Sequence, residues 1–247
     1  MKITGVKFTT ERQDQLITLC QNLIRTKSYS GQEKKAVDEV KSAFIELGFD
    51  DFNVDKYGSV IGHIKGNRPG KKLLFDGHLD TVPVPEPSYW SHGPFSGEID
   101  NGRIYGRGAS DMKGAVAAMI CAAAFFAEDC KREFAGDLYV VGSVHEECFE
   151  GISSRSVSGQ IKPDYVVIGE ASVCNVKRGQ KGRAEIVVET FGKPAHSANP
   201  HKGINAVYKA ALLIEKIRDL EMSRHPILGD GILELTDIKS SPYPGAS

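Results

Sequence analysis

The chain lacks the features that mark several broad protein classes. Its five cysteines, at positions 20, 121, 130, 148 and 174, are odd in number and contain no Cys-x-x-Cys pair. That argues against a disulfide framework and for reduced thiols in a cytoplasmic setting. No sign of charge dominates: 31 Lys and Arg stand against 32 Asp and Glu, for a net charge of -1, so nothing in the balance points to nucleic acid or an anionic membrane as partner. Long hydrophobic runs are missing too. The longest, Ala115 to Ala127, falls short of the roughly 20 residues a bilayer span requires. Met1 to Cys20 carries scattered charges and no uninterrupted apolar stretch, so no signal peptide or anchor is visible. There is no internal repeat, and Pro83 to Pro87 is a proline-rich loop.

Among the features that are present, 247 residues with 40% apolar content suffice for one large domain or up to two ordinary ones with a real core. Leu16, Leu19, Leu23 and Ile24 recur at helical spacing. So do Ala36, Val37, Val40, Ala43, Phe44 and Leu47, with Gly48 as a stop. Phe52 to Tyr57 and Ser59 to Ile64 read as paired strands around Gly58, and Lys72 to Phe75 as a short buried strand. Ser96 to Tyr105 reads as a hairpin turning at Asp100-Asn101-Gly102. A small-residue helix from about Lys113 to Glu128 follows, then strands over Leu138 to Val144 and Tyr165 to Ile168. This alternation predicts an α/β fold, a mixed and largely parallel sheet with helices on both faces. The pattern changes near residue 180. Arg183 to Phe191 and Ile232 to Ile238 read as strands, with an amphipathic helix over Asn205 to Leu220 between them. The expected division is 1–181 and 182–247.

The chemistry gathers where strands end, which is where ligands collect in such sheets. Leu73-Leu74-Phe75 leads into Asp76-Gly77-His78-Leu79-Asp80. Gly106-Arg107-Gly108-Ala109-Ser110-Asp111 opens the small-residue helix, the strand from Leu138 runs into His145-Glu146-Glu147, and Tyr165 to Ile168 runs into Gly169-Glu170. Hard oxygen donors mixed with imidazole suit zinc, cobalt or manganese. In an extended segment residues two apart lie on one side, so the Asp80 carboxylate is placed to accept the spare N–H of His78 and fix its tautomer; the same pair would equally serve as a buried structural contact. Asp111 stands where a dinucleotide loop needs its third glycine, and a negative charge there would repel a pyrophosphate. It reads as a bridging metal ligand or as a helix N-cap. Adjacent Glu146 and Glu147 repel each other unless a cation or proton intervenes; one can hold a metal while the other takes a proton from water. Cys148 reads as a buried bystander beside them.

Taken in order, His78-Leu79-Asp80, Gly106-Arg107-Gly108 through Asp111-Met112-Lys113-Gly114, Glu146-Glu147 and Gly169-Glu170 resemble the dinuclear zinc peptidases and deacylases, a family with acetylornithine deacetylase, succinyl-diaminopimelate desuccinylase, aminoacylase and glutamate carboxypeptidase among its members. The resemblance implies two divalent metals, zinc foremost with cobalt or manganese as alternatives. It implies His78, Asp111, Glu147 and Glu170 as ligands, Asp111 bridging, with Asp80 orienting His78 and Glu146 as general base to a metal-activated water. It also implies a cis peptide after Asp111. Gly192-Lys193-Pro194-Ala195-His196-Ser197 resembles the family as well, which makes residues 182–247 the start of an inserted α+β lid and dimerisation domain, and makes His196 a group that polarises the scissile carbonyl. Arg178, in the Gly- and cation-rich Arg178 to Arg183 stretch, and Asn205 are candidate substrate contacts; for Arg178 a solvated hinge is the equal alternative. His145 stands where relatives carry a small polar group. Relatives are longer than this chain, and the resemblance implies a further histidine for the second metal beyond residue 247. The chain alone is expected to be inactive. The expected activity is hydrolysis of an amide bond in a small N-acyl amino acid or peptide by a cytoplasmic homodimer, with a non-catalytic metal-binding or dimerising protein as the second reading.

Overall fold

A computed structural model describes residues 7–149, 151–177 and 179–240. The chain forms two compact units, dividing between Cys174 and Asn175, seven residues before the 181/182 boundary expected from the sequence. In the first unit, helix α1 (Thr10–Arg25) begins at Thr9, whose hydroxyl accepts the Arg12 N–H, and buries Leu19, Cys20, Leu23 and Ile24. Helix α2 (Lys34–Glu46) buries Ala36, Val37, Val40, Ala43 and Phe44 and gives way at Gly48, which adopts a φ of 73°, the left-handed stop that glycine makes cheap.

The sheet holds β1 (Asp51–Val54), β2 (Val60–Lys65), β3 (Arg68–His78), β6 (Ala135–Ser143) and β7 (Tyr165–Ile168) in the order β1-β2-β6-β3-β7. The predicted hairpin is present as β4 (Glu98–Asp100) and β5 (Arg103–Tyr105). β2 runs antiparallel to both neighbours, while β3 pairs in parallel with β6 and β7; four of the five strands therefore run one way, as expected. Alternation along each strand divides the core. Val60, Ile64, Leu138 and Val140 face the helices α1, α2 and α3 (Gly114–Asp129), whereas Ile61, Leu74 and Val141 face Val157 and Ile161 of α4 (Ile152–Ile161). Helix α4 was not foreseen. Its serine-rich sequence offers only Val157 and Ile161 as a buried apolar pair, too few for periodicity to register.

Together with the turn before it, α3 is long and apolar enough to cross a membrane, over Ala109–Asp129. It lies instead in the core, with Val116, Ala117, Ile120 and Cys121 among its buried residues. All five cysteines are free thiols.

In the second unit, α5 (Ala206–Arg218) matches the amphipathic expectation, and β8 (Arg224–His225) pairs with β9 (Gly229–Asp230). The strands expected over Arg183 to Phe191 and Ile232 to Ile238 do not form: among the described residues neither segment joins a ladder. Alternation specifies which side of a strand is apolar, but a strand exists only where a partner supplies its hydrogen bonds.

Candidate metal centre

The parallel strands β3, β6 and β7 finish at one edge, with His78 opposite Ser143 and Asp76 opposite Ile168. His78, Glu146, Glu147 and Glu170 are carried just at or beyond these ends. At Gly77 an added Cβ would come within 2.6 Å of the Met112 methyl and 2.9 Å of Val116, so the strand passes tightly over the turn that carries Asp111.

His78 is buried, at 2% exposure. Its Nδ1 meets the main-chain carbonyl of Asp80 at 2.9 Å, and the Asp80 carboxylate stands farther off at 3.6 Å. The expected pairing is therefore corrected in its atom: the carbonyl, rather than the carboxylate, receives the Nδ1 hydrogen bond. The reason is that the Asp80 carboxylate is already engaged. Fully buried, it accepts the main-chain N–H groups of Glu146 at 3.1 Å and Glu147 at 3.0 Å and the Ser30 hydroxyl at 2.7 Å. Burial opposes its charge, yet His78, Ser30 and these N–H groups hold the carboxyl below the usual aspartate range. Asp80 thus pins the Glu146-Glu147 turn against the end of β3.

On the other side of the imidazole, Nε2 lies 2.9 Å from Asp111 Oδ1, 3.4 Å from Glu170 Oε1 and 3.9 Å from Glu146 Oε2. Asp111 sits in the irregular turn Ala109–Lys113, outside α3, whose first residue is Gly114. The carboxylate faces His78, so the N-cap reading falls away. The Asp111–Met112 peptide is cis, as the resemblance implied.

Two sets of donor atoms converge, each within 4.8 Å of one another: His78, Asp111 and Glu147, and His78, Glu146 and Glu170. Burial lowers the His78 imidazole's affinity for a proton, but Asp80 and Glu170 outweigh it and push the group up to about 11. Glu146 and Glu147 are raised by burial and by neighbouring carboxylates, His78 partly offsetting. Four carboxylates around one imidazole need positive charge at their centre, and a proton on His78 supplies only one unit. An oxygen-rich set with a single imidazole is the donor chemistry of a divalent cation, so the residues present fit such a group.

The His145 ring stands 3.7 Å from Glu33, whose carboxylate accepts the main-chain N–H groups of Gly31 and His145. Cys148 is exposed, rather than the buried bystander expected. In the second unit His196 is exposed and its Nδ1 accepts the Ala198 N–H at 3.1 Å. Asn205 caps α5, its Oδ1 accepting the N–H groups of Val207 at 2.8 Å and Tyr208 at 3.3 Å. Arg178 lies outside the described residues. Sequence reasoning missed Ser30, which carries no local signal. It also missed the use of Asp76, which is buried and raised by that burial, with Oδ2 accepting the Ser154 hydroxyl at 3.0 Å.

An α/β sheet whose parallel strands end in an imidazole and a ring of carboxylates defines a class, the metal-site α/β proteins. A family model narrows it: residues 74–231 match the peptidase family M20/M25/M40. The chain belongs to that family. It is 31% identical over 230 residues to the uncharacterised YgeY protein of Escherichia coli, covering 92% of this chain and 56% of that one. It is 29% identical over 219 residues to succinyl-diaminopimelate desuccinylase of Cereibacter sphaeroides, covering 84% and 57%. The fold is similar to an M20 family metallo-carboxypeptidase from Sulfolobus solfataricus, with TM-score 0.60 and 24% identity over 85% of this chain and 50% of that one. It is also similar to a tripeptidase from Staphylococcus aureus, with TM-score 0.56 and 20% identity over 86% and 57%. The chain spans about half the length of the curated relatives it matches.

Proposed function

We propose that this chain carries the catalytic centre of a metal-dependent hydrolase that cleaves an amide bond in a small N-acyl amino acid or peptide. The observation that carries the reading is the convergence of His78, Asp111 and Glu147 donor atoms within 4.8 Å in a member of this peptidase family. His78, Asp111, Glu147 and Glu170 would hold two divalent cations, zinc foremost with cobalt or manganese as alternatives, and Asp111 would bridge them. Such cations polarise the scissile carbonyl and lower the pKa of the attacking water.

The chain's own residues do the rest. Glu146 Oε2 accepts the proton of the attacking water and passes it to the departing amine. Burial and the carboxylates around it raise its affinity for that proton. Asp80 holds both glutamates in place through their main-chain N–H groups, and His78 is fixed by the Asp80 carbonyl. His196 belongs in this reading as the group that polarises the carbonyl, with residues 182–247 as the start of a lid and dimerisation domain and Arg178 and Asn205 as substrate contacts of a cytoplasmic homodimer. The desuccinylase and tripeptidase relatives support N-succinyl amino acids and short peptides as the first substrates to screen.

The test is Glu146→Gln in the complete polypeptide. Turnover of N-acyl amino acids should fall by about 10²–10⁴-fold, while metal content, measured by plasma emission after dialysis, stays at the wild-type level. Near-normal turnover in that variant would remove Glu146 from the role of base. Wild-type protein that binds zinc but hydrolyses none of the acetyl, succinyl and dipeptide substrates would favour the non-catalytic reading.

A further inference from the structure

Arg107, in the Gly106-Arg107-Gly108 to Asp111 segment, has no part in the reaction outlined above, and its surroundings are unusual for an arginine. The side chain is half-buried, and its Nε is shut off from solvent with no hydrogen-bond acceptor. The guanidinium carbon lies 5.1 Å from the Trp90 indole centroid. A guanidinium carries five N–H donors in a planar fork, and desolvated donors left unpaired are costly. An aromatic face steadies the charge but accepts none of those hydrogen bonds in the plane of the fork.

The backbone around Arg107 is held firmly. Its main-chain N–H donates to Pro94 O at 2.7 Å. Gly106, at a φ of 151°, would place a Cβ 2.4 Å from Ile24, and Gly108, at 85°, would place one 2.9 Å from Thr81. Side chains are excluded on both flanks, so the loop lies flat against the residue that follows Asp80. Arg107 precedes Asp111 by four positions, a separation the backbone spans in at most about 14 Å, the scale of a short peptide. The fork, its Nε unpartnered, is thus a cation on a firmly held loop, four positions before Asp111 along the chain. A carboxylate matches its geometry through two parallel hydrogen bonds.

We propose that Arg107, braced by Trp90, is the subsite that takes a carboxylate of the substrate. This rests on the hydrolase reading and adds to it the charge that the substrate must carry. The carboxylate has two possible sources, the amino-acid side of the scissile amide or the acyl side, as in a succinyl group. A cation–π contact that only fastened the loop would be indifferent to both.

Three probes separate these cases: N-acetyl-L-alanine, with its carboxylate on the amine side; N-succinyl-L-alaninamide, with it on the acyl side; and N-acetyl-L-alaninamide, with none. Steady-state kinetics on the complete, zinc-loaded protein should show Arg107→Gln raising KM at least tenfold for one carboxylate probe. The effect on kcat should be smaller, and the uncharged probe should lose far less. Arg107→Lys should recover part of the loss, which guards against a merely misfolded glutamine variant. Trp90 is the only tryptophan in these 247 residues, and a Trp90→Phe control identifies the part of the emission that reports on the subsite. Titrating the same probe into Glu146→Gln protein should shift that emission saturably, and adding Arg107→Gln should move the midpoint to higher concentration. An equal loss of kcat/KM on all three probes, or Trp90 emission that is blind to bound carboxylate, would overturn the proposal. If no probe is hydrolysed but the emission titration depends on Arg107, the hydrolase reading fails and the carboxylate subsite stands.

Discussion

Lys113 shows how much a single residue can do away from the reacting groups. It is fully buried, and its ammonium donates to the carbonyls of Leu23 at 2.8 Å and Thr26 at 2.7 Å, at the end of α1 where the helix dipole favours a cation. Burial drags the group down to about 8, Asp80 partly offsetting. Lys113→Met keeps most of the volume but strands the two carbonyls, so we expect a loss of about 1.5–3 kcal/mol, the range for hydrogen bonds to a charged group. Urea unfolding would measure it; an unchanged midpoint would mean that water replaces the ammonium. At this scale the sequence was informative about residue types and less so about atoms. His78, Asp80, Asp111 and the two adjacent glutamates are visible as a constellation, because a strand end followed by acid and imidazole is a local pattern. That the Asp80 carboxylate serves the Glu146-Glu147 turn was hidden, because its partners lie more than sixty positions away along the chain.

Between elements, contact sterics decide. α2 lies over β2 so that the Phe44 ring covers Gly62, where a Cβ would come within 2.6 Å of Phe44 Cζ. Phe44 is fully buried and its ring centroid is 4.3 Å from that of Phe49, so it has no room to yield. Gly62→Ala should therefore destabilise by about 1–3 kcal/mol through overpacking, seen as a lower urea midpoint at constant slope. α1 and α3 are joined at the surface by Arg12, whose guanidinium donates to Asp129 at 2.9 and 2.8 Å and to Glu128 at 2.7 Å. The hydrogen bonds from Arg12 hold the Asp129 carboxyl below its ordinary value of 3.8. Because the folded value is depressed, the stabilisation is full above 3.8 and is lost as pH falls through the lowered folded value. The stability gap between wild type and Asp129→Asn should thus be present at neutral pH and close in acid; a gap that widens in acid would contradict the sign. Helices with a clear apolar stripe, α1, α2 and α5, were legible, and so was α3 from its run of small apolar residues. α4 was not, because its position depends on the sheet face it covers rather than on its own sequence.

Across the whole molecule, burial is uneven. Every residue of the core lies in the first unit, and none of the described residues from 175 to 240 is buried. Opening free energy follows buried contacts, from near zero up to the global value. In native-state hydrogen exchange, amides of β6 should therefore exchange only by global unfolding, while those of α5 exchange far sooner; matched protection in the two would contradict this reading. The sequence by itself determined the order and type of most elements in the first unit and the residue types of the candidate centre. Periodicity and strand-end placement are local properties, written in a few consecutive positions. Only the tertiary structure decided that α4 covers one face of the sheet, that Lys113 closes the end of α1, that Asp80 holds the Glu146-Glu147 turn and that Arg107 meets an aromatic face while its Nε has no acceptor. Strand pairing in the second unit was misread for the same reason. Which group meets which depends on contacts between distant parts of the chain, and no local pattern encodes the partner.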